Sequence, residues 1–130
     1  MSTAKQRIRF GRVIAFGVLA ELATFLVIVI TLAVHSRIIA AGQSQSVIDD
    51  FARQAPAVLG PLGGILFTLI AAILATRPLT DRIREHGAWV GVVTAAITLP
   101  MLIASTPADR PLYLAAIALK LVAGVMGGGL

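Results

Sequence analysis

The chain has 130 residues, 58% of them hydrophobic and 13% charged, with a formal net charge of +5, and so little polar surface excludes a water-soluble globule of this size. There is no cysteine, which excludes disulfides, thiol chemistry and cysteine-ligated metal. The basic excess sits in short flanks beside apolar runs, a pattern that points to anchoring against acidic lipid headgroups and away from nucleic acid.

A helix needs about 20 mostly apolar residues to cross hydrocarbon, because every backbone N–H and C=O must be paired without water. The first such run, 13–34, follows a basic leader containing Lys5, Arg7, Arg9 and Arg12. It is longer than the roughly 7–15 residues of a secretory signal core and carries Glu21 inside it, so it reads as an uncleaved first span. Residues 35–56 form the longest polar connection. There Ser46 and Asp49 have capping-box spacing, and Ile48, Phe51, Ala52 and Ala55 follow at helical intervals. Either a short amphipathic helix at the interface or an ordinary loop turn fits, with Asp49, Asp50 and Arg53 toward water.

The second run, 57–76, has Pro56 and Pro61 near its start, where a missing N–H costs little, and it stops at Arg77-Pro78. A charged link follows in which Thr80 can cap a turn. The third run, 87–105, contains Pro100, which predicts a kink near 96–99 with Thr94 and Thr98 compensating locally. The turn 106–111 supplies Asp109 as a cap and Pro111 in the first turn of the fourth run, 112–130. The expectation is an all-α integral membrane protein: one domain, 1–130, folded as an antiparallel bundle of four transmembrane helices. Lys5, Arg7, Arg9, Arg12, Arg77, Arg82 and Arg84 fall on one side and Arg37, Arg53 and Arg110 on the other, which predicts both termini in the cytoplasm of a bacterial inner (plasma) membrane.

Glu21 and Lys120 are the two charges deep inside apolar runs, and such groups mark functional sites because hydrocarbon penalises them by at least about 2.5 kcal/mol. Each lies about 12 Å along its span, from opposite directions, so the two reach similar depth. Gly17 and Thr24 share a face with Glu21, and Tyr113 and Gly124 share one with Lys120. These four are candidate pathway-lining residues. Small residues let helices approach, so both charged faces are expected to point into protein, with the Gly124/Gly128 spacing and the Gly60, Gly63, Gly64 cluster as further contact faces. Three readings stay open: an internal ion pair, a reversible proton or cation site at Glu21, or pairing with another protein's helix.

Leu19-Ala20-Glu21-Leu22, in the first of four short spans, resembles the first helix of small multidrug resistance transporters. The resemblance implies a Glu21 that exchanges protons for cationic drugs in a dimeric protein. It covers about ten residues. Departures from that family are the single Trp89 near a helix end, the additional Lys120 and a longer first loop.

His35 and His86 fall on opposite faces and cannot share a metal or heme, while Trp89 and Tyr113 read as interfacial anchors. No nucleophile stands beside a base within a span and no phosphate-binding glycine loop precedes a helix, so neither an enzyme nor a cofactor is expected. The functional expectation is a small proton- or cation-coupled transporter or channel-like protein using Glu21 and Lys120. Its partners would be the lipid bilayer and either further copies of the chain or another membrane protein. A non-enzymatic accessory or scaffold subunit is the alternative.

Overall fold

The structure, a computed structural model, describes residues 8–130; Lys5 and Arg7 of the basic leader lie outside the described residues. The helices are α1 (Phe10–Val34), α2 (Gln45–Thr76), α3 (Ile83–Ala104) and α4 (Arg110–Gly127), with a π-helical turn, His35–Ile39, extending α1. All four are long and apolar enough to cross a membrane, the build of a multi-pass membrane protein. Their surroundings agree with that composition. Leu19, Leu22, Leu26, Leu62, Ile103 and Leu114 point outward, while the interior holds Ala, Gly and Thr around Val13 and Val90. A water-soluble bundle would have the reverse arrangement.

Neighbouring helices run antiparallel. Arg12 meets the end of α2 while Gly63 meets Thr24, and Gly87 and Gly91 of α3 meet Gly128 and Gly124 of α4. The termini and the α2–α3 link therefore share one end of the bundle, and the α1–α2 and α3–α4 links share the other. At the α3–α4 seam a Cβ on Gly124 would lie 2.6 Å from the Gly87 carbonyl oxygen and 2.8 Å from the Gly91 Cα, so only glycine permits this separation.

Two local expectations are corrected. The connection 35–56 contains neither a separate interfacial helix nor a simple loop turn: α2 starts at Gln45 and continues without interruption through Pro56 and Pro61. At 32 residues it is about 48 Å long, against about 30 Å of hydrocarbon, so its first turns and the end of α1 overhang the shorter α3 and α4. Gly42, at φ 81°, turns the chain between them, and the His35 ring stacks on Phe51 at 3.6 Å. The α2 N-cap is Ser44, not Ser46; the two hydroxyls lie 2.9 Å apart and neither caps the helix through its side chain.

Caps elsewhere follow different rules from those expected. Asp109 holds the N-cap position of α4 but accepts a bond from the Thr106 hydroxyl at 2.7 Å, making none to the helix. The N-cap of α3 is Arg82, in the left-handed region at φ 55°, where its guanidinium pairs with Glu85. That hydrogen bond, aided by the Glu85 charge, holds Arg82 above its ordinary value against the opposing effect of desolvation. Carbonyls of the last turn of α2 are met by Arg12, whose Nε and Nη2 donate to Ala75 O at 2.8 Å and Leu74 O at 2.9 Å.

Candidate functional site

All four helices converge on one ammonium group. Lys120 Nζ, on α4, donates to Glu21 Oε1 of α1 at 2.5 Å and to Thr98 Oγ1 of α3 at 2.5 Å. On α2, Gly64 leaves the space the lysine occupies: a Cβ there would lie 2.5 Å from Lys120 Cε and 2.8 Å from Nζ. Lys120 is 2% exposed and the Glu21 side chain 19% exposed, so the pair has one covered member and one accessible member.

The geometry explains how the bundle tolerates the lysine. Burying an ammonium costs several kcal/mol, which an ion pair offsets only with good geometry and further hydrogen bonds. Thr98 supplies one such bond in a fixed sense, because its own hydrogen goes to Thr94 O at 2.9 Å and a lone pair is left for Lys120. The polar chain continues through Thr94 Oγ1, which donates to Gly91 O at 3.0 Å and lies 3.1 Å from Thr68 Oγ1. The single Thr68 hydrogen serves either that oxygen or Gly64 O, 2.6 Å away. These buried hydroxyls find their partners within or between helices.

Above the pair, toward the end opposite the termini, lies a cavity of about 170 Å³. Glu21, Thr98 and Lys120 contribute its polar floor, and Phe25, Ile28, Pro61, Met101 and Tyr113 are among its apolar walls. Of the residues named from sequence, Thr24 and Tyr113 line this space, with the Thr24 hydroxyl donating to Ala20 O at 3.0 Å. Gly17 and Gly124 do not. Gly17 packs against Val93, to which a Cβ would come within 2.5 Å, and Gly124 belongs to the α3–α4 seam. Both lie on the termini side of the ion pair, in closely packed helix contacts.

Sequence reasoning missed Thr98 as a partner of Lys120 and Gly64 as its berth. The depth argument used for the charges would have found the hydroxyl, since Thr98 lies about 16 Å along the third run from Gly87, within about 5 Å of the depth of Glu21. Gly64 had no signal that set it apart from its glycine neighbours.

The two histidines stand at opposite ends of the bundle. His86 is buried, accepts from Arg9 N at 3.2 Å through Nε2, and donates from Nδ1 to Arg82 O at 2.9 Å; a neutral ring meets both demands. His35 Nδ1 is buried without a hydrogen-bond partner beneath its stack on Phe51. Trp89 packs edge-on against Phe10 with ring centroids 5.5 Å apart. Among the described residues no cluster of three or more His, Asp or Glu side chains is placed to hold a metal.

Compared with protein-family models, curated proteins and solved structures, the chain matches none.

Proposed function

We propose that the chain is a small transporter or channel-like protein of a bacterial inner membrane, with both termini in the cytoplasm, working through Glu21 and Lys120. The observation that carries this reading is the unequal exposure of the pair: both groups floor the cavity, but the Glu21 side chain stays accessible while Lys120 is almost wholly covered and separately held by Thr98. A proton or cation arriving through the cavity can therefore engage Glu21 while Lys120 keeps one acceptor. The excess of arginine at the termini end supports the orientation, with Arg9, Arg12, Arg77, Arg82 and Arg84 there against Arg37, Arg53 and Arg110 at the other. The termini half is closed by glycine and alanine packing, so passage requires movement of that seam, a second copy of the chain or another membrane protein.

Proton flux into liposomes under an imposed gradient tests the reading. Glu21→Gln should abolish the flux, as should the Glu21→Gln/Lys120→Met double variant, which keeps the site neutral and folded. Wild-type flux in either variant removes the proposal.

The near-complete burial of Lys120 favours a second reading, in which the pair fixes helix register in a non-enzymatic accessory or scaffold subunit. Purification under mild conditions should then retrieve a stoichiometric partner protein, and repeated recovery of the chain alone argues against it.

A further inference from the structure

We propose that the groove between Arg12 and Arg77, at the termini end of α1 and α2, is a binding site for one anionic phospholipid. The groove is shallow and open, and is walled by Phe16, Leu74 and Pro78 between the two arginines. Its chemistry divides along its length. Phe16 and Leu74 lie on the membrane-spanning parts of their helices and form an apolar track suited to an acyl chain. Arg12 and the exposed Arg77 form a basic rim suited to a phosphodiester.

The rim is built rather than merely charged. The bonds from Arg12 to Leu74 O and Ala75 O hold its guanidinium at the level where α2 ends, two residues before Arg77, which lines the same groove. The Phe16 ring supports the same guanidinium, with Arg12 Cζ 5.1 Å from the ring centroid. Two of the five N–H donors of Arg12 are used by α2, which leaves others for an anion without reorganising the side chain. Apolar walls beside one held and one exposed cation match an amphiphile with a negative head. A soluble anion would leave the Phe16 and Leu74 walls unused, and a zwitterionic lipid would present its own cation to the rim.

Native mass spectrometry of the detergent-solubilised full chain, titrated with phosphatidylglycerol or phosphatidylcholine, tests the site. Phosphatidylglycerol should bind in preference to phosphatidylcholine and saturate at one per chain. Arg77→Gln should weaken that binding about fivefold, the loss of one interfacial arginine. Leu74→Trp, which fills the apolar track and leaves every charge in place, should weaken it as well. Arg84→Gln, on the same end but outside the groove, should leave it unchanged. An equal loss in Arg84→Gln would mean diffuse attraction to a basic rim and overturn the proposal. So would unaltered binding in Leu74→Trp, or displacement of the lipid by soluble glycerophosphate at matching concentration. Arg77→Gln converting an oligomer to monomer, with no lipid bound to either, would assign the groove to a second copy instead.

Discussion

In the half of the bundle nearest the termini, α3 and α4 close to backbone contact along Gly87, Gly91, Gly124 and Gly128, and Ala71, Ala72 and Ala75 fill the centre. In the other half Pro56, Pro61 and Pro100 each withdraw one N–H donor from helices that continue through them, and larger side chains stand around a cavity. Lys120 sits at the boundary, with the packed half below it and the cavity above. The contrast shows how one small bundle can bury a charge. Close glycine packing sets the helix register firmly enough to aim Lys120 at Gly64 and Thr98, and the looser half leaves Glu21 beside the cavity.

The largest effect should come from breaking that boundary. Glu21→Gln strands an ammonium that is 2% exposed and should cost about 3–5 kcal/mol in detergent unfolding. Lys120→Met strands a carboxylate that has the cavity beside it and should cost less. The double variant should lose less than the sum of the two, and strictly additive losses would refute an energetic pair.

Next comes the contrast between glycines. Gly124→Ala drives a methyl against backbone atoms that cannot yield, for a loss of about 1–3 kcal/mol. Gly60→Ala, which meets nothing within 4 Å, should be neutral or stabilise by up to about 1 kcal/mol through helix propensity. Equal effects in thermal unfolding would mean that the two halves are not packed differently.

Smaller still, Thr98→Val removes one acceptor from Lys120 and should cost about 1–2 kcal/mol, with Thr98→Ser restoring most of it. Smallest is Arg12→Gln, which uncovers the last carbonyls of α2 and should lower stability by about 1 kcal/mol; faster amide exchange at the start of the α2–α3 link would report the frayed end.

The helices themselves were legible in the residue order because hydrocarbon imposes length and polarity on each segment separately. The same rule located Glu21 and Lys120, since a charge inside an apolar run is visible without any partner. The start of α2 was not legible. Pro56 and the acids Asp49 and Asp50 read as a boundary, yet the helix continues through them, because its early turns find a partner in the end of α1 through the His35–Phe51 stack. Arg12 read only as a topological charge. Its second role as a cap on α2 depends on a neighbour more than sixty residues away.

Composition and periodicity alone determined that the chain makes long apolar helices, that two ionisable groups enter them, and that basic residues collect toward one side, because each of these follows from local chemistry and segment length. Which faces meet was decided only by tertiary packing. Helical spacing assigned Thr24, Tyr113, Gly17 and Gly124 equally to the charged faces, and three-dimensional register sent the first two to the cavity and the last two to helix contacts. The union of Glu21, Thr98, Lys120 and the gap at Gly64 likewise depends on how four helices rotate about their axes, and those rotations are set by close approach between residues distant in the chain.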